Sequence, residues 1–154
     1  LRALLENPDA VFAQPGTRVL KDSNTSTVAA FELPSPAGPV PVVLKRVNVR
    51  TAAEPLKNFV RRSAVVRSWV NGHTLRDRGL PTPRPLAVFQ RYRRGLPTEG
   101  YLLTEAVPDA VPLDAAPGTT LPRDVLVNLA RTLRAMHDRG VSHRDLKASN
   151  VLLA

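Results

Sequence analysis

His143-Arg144-Asp145-Leu146-Lys147-Ala148-Ser149-Asn150 is the stretch on which this chain turns. It sets a carboxylate at 145, an amine at 147 and an amide at 150 in one short polar loop. Its surroundings are regular. Upstream, Val125, Leu129, Leu133 and Met136 recur at helical spacing, with Leu126, Ala130 and His137 beside them, so the spacing predicts an amphipathic helix from Pro122 to Arg139. Pro122 suits the first turn, and Gly140 sits where a helix end wants positive φ. Downstream, Val151-Leu152-Leu153 predicts a short apolar strand. The competing interpretation is a plain charged turn between a helix and a strand.

Further towards the N-terminus, residues 1–16 read as a short helix or turn ending at Pro15-Gly16, and Arg18-Val19-Leu20 as a strand. A polar loop, residues 21–27, leads to a second strand, Val28 to Leu33. After a turn rich in Pro, Ser and Gly comes a third, Val40 to Val49, in which Val43, Lys45 and Val47 share one face by alternation. Glu54 to Arg78 is mostly helical, with Leu56, Val60, Val66, Trp69 and Val70 as its apolar side, Asn71-Gly72 as a point of interruption and Gly79 as its stop. Pro81-Thr82-Pro83-Arg84-Pro85 is extended and stiff, because proline fixes φ and restricts its predecessor. Leu86 to Gln90 and Gly100 to Thr104 form a strand pair around Arg93-Arg94-Gly95, and Pro108 to Gly118 reads as a connector. There is no internal repeat.

With 154 residues the chain is long enough for one domain with a core. It has no cysteine, which excludes disulfides and thiolate metal sites. No apolar run approaches the roughly 20 residues of a membrane helix, and no secretory signal is visible. It opens on Leu1 and stops after a strand, and reads as a fragment of a longer protein. The net charge of +9 comes from 18 Arg and 4 Lys set against 13 acidic residues. Spread over a solvated surface, this bias implies no partner. Gathered as Arg61, Arg62, Arg67, Arg76, Arg78, Arg84, Arg91, Arg93 and Arg94, it could face anionic lipid head groups or phosphorylated glycans. With 5% aromatics and no nucleic-acid motif, no nucleic-acid partner is expected.

His143, Arg144, Asp145, Leu146, Lys147 and Asn150 resemble the H-R-D-L-K-x-x-N catalytic loop of protein-kinase-like phosphotransferases. Phosphoryl transfer asks a protein mainly for positioning and charge stabilisation. The resemblance implies that Asp145 orients and deprotonates the attacking hydroxyl, Lys147 faces the transferring phosphate, and Asn150 offers its amide oxygen to magnesium. His143 and Arg144 shape the loop. Val42-Val43-Leu44-Lys45 resembles the V-A-I-K strand. A lysine on an inward strand face needs an anionic partner, and the α- and β-phosphates of ATP would supply it. Taken alone, Lys45 reads equally well as an edge-strand lysine in water.

Residues 21–27 stand where kinases carry a glycine-rich phosphate cover. This loop has no glycine, but its backbone N–H groups and the hydroxyls of Ser23, Thr25, Ser26 and Thr27 could contact phosphates; an ordinary polar hairpin fits nearly as well. Val28 and Val43 suit an apolar adenine pocket or the core. Leu102 to Val107 looks like a strand entering a hinge, where the Glu105 carbonyl and Val107 backbone groups could pair with the adenine edge.

Trp69-Val70-Asn71-Gly72-His73, leading to Gly79-Leu80-Pro81-Thr82-Pro83-Arg84-Pro85-Leu86, is similar to the bacterial lipopolysaccharide core kinases, the Kdo/heptose, WaaP-like family. Leu20-Lys21-Asp22, Thr27-Val28 and Leu44-Lys45-Arg46 look like that family's first strands. The resemblance implies an α+β, protein-kinase-like fold. Residues 1–16 would be an N-terminal extension, 17–107 a five-stranded antiparallel small lobe with one helix, and 108–154 the hinge and the start of the helical large lobe. It also implies ATP and magnesium (Mg2+), a sugar hydroxyl on a lipid-linked glycan as acceptor, and a cytoplasmic place with peripheral contact to an anionic membrane. The alternatives are a bacterial Ser/Thr protein kinase and a pseudokinase binding module. Two departures stand out. Kinases pair the strand lysine with a helix glutamate, but Ser68 stands near that turn, Glu54 lies at the start of the helix and Asp77 at its end. The metal-binding Asp-Phe-Gly segment is expected beyond Ala154, so this stretch alone is expected to transfer no phosphate.

Overall fold

The computed structural model describes residues 2–47, 63–94, 96–116, 121–142 and 146–154. The chain divides into two units, Leu1–Thr74 with Pro83–Ala106, and Leu75–Thr82 with Val107–Ala154.

In the first unit, β1 (Arg18–Asp22), β2 (Ser26–Leu33), β3 (Val40–Val47), β4 (Pro85–Arg93) and β5 (Leu96–Glu105) form an antiparallel sheet in the order β1-β2-β3-β5-β4. This is the five-stranded antiparallel sheet of the expected α+β fold. Alternation along the strands gives it two different faces. One carries Ala29, Val42, Leu44, Tyr101 and Leu103, all essentially excluded from water. Residues 2–13 complete this face. Leu4 of α1 (Arg2–Glu6) and Val11 of the 3-10 helix Pro8–Ala13 lie in the same buried cluster, with Phe12 packed against it. Burying such side chains is worth roughly 1.5–3 kcal/mol each. These helices are too short to show a period, which is why the segment reads as an extension in sequence.

The other face carries Val28, Ala30, Val43, Lys45, Gly100, Leu102 and Thr104. α2 (Ala64–Asp77) packs here through Val65, which is 2% exposed. The approach is close: a Cβ on Gly100 would lie 2.4 Å from Val65 Cγ2. The interruption expected at Asn71-Gly72 does not occur. α2 runs through it, and a Cβ on Gly72 would stand 2.6 Å from Pro85 Cγ. Among the described residues of α2 the buried apolar anchor is Val65, not Val66, Trp69 or Val70; Leu56 and Val60 lie outside the described residues.

In the second unit, α3 (Arg123–Asp138) has Pro122 as its N-cap rather than inside its first turn. It ends in a Schellman motif: Gly140, at φ 67°, donates to the His137 carbonyl, and Val141 to that of Met136. A side chain at position 140 would strain that φ. The Arg78 guanidinium donates to the Arg139 carbonyl at 2.7 Å, satisfying another helix-end acceptor. Within the expected connector, β6 (Val111–Pro112) pairs antiparallel with β7 (Leu152–Leu153); residues 117 and 118 lie outside the described residues. A two-residue pairing has no periodicity for sequence to reveal.

Candidate nucleotide site

Pairing across the first unit sets Val28, Lys45, Leu102 and Val88 in one row, and Ala30, Val43, Thr104 and Pro85 in the next. Val28, Val43 and Lys45 therefore share a face, opposite the one covered by the N-terminal helices. The two valines are half-buried and Lys45 is exposed. Exposure corrects one expectation. Lys45 is not inward, so burial does not demand an anion; its position beside two half-buried valines is what suits a phosphate tail following an apolar base. Glu54, the acidic residue at the expected start of the helix, lies outside the described residues.

The β1–β2 turn is narrower than expected, because Ser26 and Thr27 belong to β2 and are buried. Ser23 closes the turn. Its hydroxyl donates to the Ser26 carbonyl at 3.0 Å, and its backbone N–H does so at 3.1 Å. It also lies 3.1 Å from the Thr25 hydroxyl. Without glycine, hydroxyl bonds give this turn its shape. Thr27 does not join Lys45. Register puts it beside Arg46 on the opposite face, where its hydroxyl donates to Asp22 and accepts from Arg46. Ser26 lies on the Lys45 face, paired with Val47.

Glu105 ends β5. Its N–H donates to the Arg84 carbonyl at 2.9 Å and its carboxylate pairs with the Arg84 guanidinium at 2.6 Å. Ala106 donates to the Pro41 carbonyl at 3.0 Å. Val107 belongs to the second unit, as do Lys147 and Asn150. Asp145 lies outside the described residues, as do His143 and Arg144. Lys147 and Asn150 are exposed at either end of a single 3-10 turn, closed by Asn150 N–H to the Lys147 carbonyl at 2.9 Å. The described residues contain no group of three acidic or histidine side chains able to cage a metal. One amide oxygen at Asn150 fits magnesium, which keeps several waters and takes phosphate oxygens as ligands.

A polar network on the covered face was invisible in sequence. Asp9 accepts from Arg46 at 3.1 Å and from Arg91 at 2.8 Å. The Tyr101 hydroxyl lies 3.0 Å from Asp9 and 2.9 Å from Glu99, one donor shared by two carboxylates. Arg46 also sits 5.0 Å over the Phe12 ring. Burial alone would raise the pKa of Asp9, but hydrogen bonds from Arg46, Tyr101 and Arg91 reverse this and hold its carboxyl below the usual carboxylate range. Burial, then the two carboxylates, push the Tyr101 hydroxyl up. Partners 37, 82 and 92 residues apart leave no local signal.

Residues 46–154 match the model of the lipopolysaccharide kinase (Kdo/WaaP) family. A 3-deoxy-D-manno-octulosonic acid kinase from Haemophilus influenzae is 36% identical over 92 residues, covering 56% of this chain and 38% of that protein. One from Photobacterium profundum is 40% identical over 81 residues, covering 52% and 34%. The chain thus spans about a third of the length of the curated relatives it matches, at 38% and 34%. Among solved structures, a MAP kinase from Leishmania major, LmaMPK10, aligns over 99% of this chain and 46% of its own at 20% identity, with a TM-score of 0.49. The match begins at Arg46 and takes in Glu105, Val107, Asp145, Lys147 and Asn150, and on it the chain belongs to the lipopolysaccharide kinase (Kdo/WaaP) family.

Proposed function

We propose that the full-length protein is an ATP-dependent kinase that transfers the γ-phosphate to a hydroxyl of a 3-deoxy-D-manno-octulosonic acid residue, or a related sugar, on a lipid-linked glycan. The family match over residues 46–154 carries this proposal. The geometry supports it from outside that span: Lys45 and Val28 share a sheet face with Val43, which suits a phosphate tail and an apolar base. In this assignment Lys45 binds the α- and β-phosphates, and Val28 and Val43 contact the base. The Glu105 carbonyl and Val107 backbone pair with its edge. Ser26 and the backbone of the β1–β2 turn lie over the phosphates. Asp145 takes the proton of the sugar hydroxyl, a weak nucleophile until a positioned base acts on it. Lys147 stabilises charge on the transferring group. Asn150 would hold a magnesium ion through its amide oxygen, and that ion would supply charge neutralisation at the phosphates.

We place the enzyme at the cytoplasmic face of the inner membrane, peripherally attached. No described helix is long and apolar enough to cross a membrane. Positive charge for attachment would come from exposed arginines such as Arg94, since Arg84 and Arg91 are paired with carboxylates.

The test offers the full-length protein labelled ATP with magnesium, a Kdo-bearing glycolipid and a generic protein substrate. Label should enter the glycolipid. Lys45→Met and Asp145→Asn should each lower transfer at least about a hundredfold, the scale of a lost general base. Label entering only the protein substrate would sink the glycolipid assignment, and full activity in Lys45→Met would remove Lys45 from the site.

A further inference from the structure

The end of β5 is tied from both sides. Glu105 N–H is held by the Arg84 carbonyl at 2.9 Å, and Ala106 N–H by the Pro41 carbonyl at 3.0 Å. A third tie joins side chains, Arg84 Nη2 to Glu105 Oε1 at 2.6 Å. The anchors are stiff. Arg84 stands between Pro83 and Pro85, and Pro41 is itself a proline. Each ring fixes its own φ and keeps the residue before it extended. The Arg84 carbonyl and guanidinium therefore grip Glu105 from a backbone with little freedom.

We propose that Arg84 is a positioning residue for base selection, fixing through Glu105 the main-chain carbonyl at 105 that meets the adenine amine. This rests on the nucleotide assignment above. Adenine presents an amine donor beside a ring-nitrogen acceptor, which a carbonyl and an N–H complement. Guanine presents a carbonyl beside a ring N–H, the reverse order. To accept guanine the strip must turn a peptide, or leave donor facing donor at a desolvated edge, and such mismatches are how polar sites reject analogues. A strip tied at 105 and 106 resists turning. Arg84→Ala removes the side-chain tie and leaves both main-chain ties, so the strip turns somewhat more easily. The side chains of Arg84 and Glu105 are 52% and 38% exposed, so the pair is solvent-screened and its loss has a modest effect.

The experiment compares wild type, Arg84→Ala and Arg84→Lys in the full-length protein. Calorimetry gives Kd for ATP and for GTP; steady-state assays give kcat and KM with each; thermal melting is measured beside them. In Arg84→Ala, Kd and KM for ATP should rise about twofold to fivefold, the range of one exposed ion pair, while kcat holds and GTP affinity does not fall. The preference for ATP over GTP should narrow accordingly. Lysine keeps the charge without the planar fork and should restore part of the preference. An unchanged ATP-to-GTP ratio in Arg84→Ala overturns the proposal; a lowered melting temperature with that unchanged ratio would mark Arg84 as merely structural. Wild-type protein that binds neither nucleotide overturns the nucleotide assignment and this proposal with it.

Discussion

Replacing Asp9 with alanine should loosen the sheet at β3, β4 and β5, although Asp9 lies far in sequence from every strand it ties. The substitution removes one acceptor from each of Arg46, Arg91 and the Tyr101 hydroxyl, while Arg91 keeps Glu99 at 2.8 Å and Arg46 keeps the Thr27 hydroxyl at 3.1 Å. Their exposure sets the size of the loss. The Arg46 and Arg91 side chains are 30% and 41% exposed, so both rehydrate, and each lost pair is worth at most about 1 kcal/mol. Tyr101 is fully buried, but its hydroxyl keeps Glu99 at 2.9 Å and is not orphaned. The sum is about 2 kcal/mol, well below three full charge-assisted bonds at roughly 1.5–3 kcal/mol each. Hydrogen exchange on the full-length protein reads this locally. Amides of β3 and β5 should exchange roughly thirtyfold faster in Asp9→Ala, the factor that 2 kcal/mol represents. Asp9→Asn keeps an uncharged acceptor and should lose about half as much. Combining Asp9→Ala with Arg46→Ala should cost less than the sum of the two, because they share one bond. Exchange within a few tenths of a kcal/mol of wild type would refute this reasoning and the docking of residues 2–13 on the sheet with it.

The same carboxylate makes stability depend on pH. Its folded pKa lies below the ordinary value of about 3.9, so its contribution is complete above that value and drains away as pH falls through the lowered one. The gap in exchange protection between wild type and Asp9→Ala should therefore shrink at acid pH, whereas a constant gap would deny the carboxylate its role. Tyr101→Phe strips a shared donor from Asp9 and Glu99 and should cost about 1–2 kcal/mol, read by exchange in β5. Gly100→Ala drives a Cβ against Val65 and should destabilise by about 1–3 kcal/mol; Val65→Ala in the same chain should recover part, and no loss in the single variant would mean that α2 does not press on β5 there.

Alternation made the sheet legible. Val40, Val42 and Leu44 against Val43, Lys45 and Val47 announce a strand with two faces, and β3 has them. Which face is the buried one is not a property of β3. It depends on Leu4, Val11 and Phe12, which cover one side, and on α2, which approaches the other. Hence Lys45 could be placed on a strand but not judged for exposure. Ser26 and Thr27 read as loop because hydroxyl residues favour turns; pairing with Val47 and Arg46 overrides that local preference. Gly72 reads as a helix breaker, a fair estimate of its cost at about 1 kcal/mol, but sequence does not show that Pro85 needs the room. Lys147 and Asn150 stand out in the sequence because the stretch that carries them is contiguous. Asp9 does not, because its partners are brought to it only by the finished fold.

The arginine excess is where composition misleads most, and the reason is chemical. Arginine stays charged when partly buried and offers five donors in a planar fork, so it can satisfy carboxylates and backbone carbonyls inside a fold. This chain uses it that way. Arg46 and Arg91 meet at Asp9, Arg84 holds Glu105, and Arg78 caps the carbonyl of Arg139. Arg139 in turn donates to Ala135, and Arg134 to Asp138. Charge committed to such ties is partly neutralised and fixed in direction. It cannot be added residue by residue to a membrane-docking total at about 1 kcal/mol each. Arg94 differs: it is exposed at φ 51° beyond the end of β4. Attachment to anionic lipid has to be judged from arginines of that kind, because removing Arg91 would weaken the fold and the surface charge together.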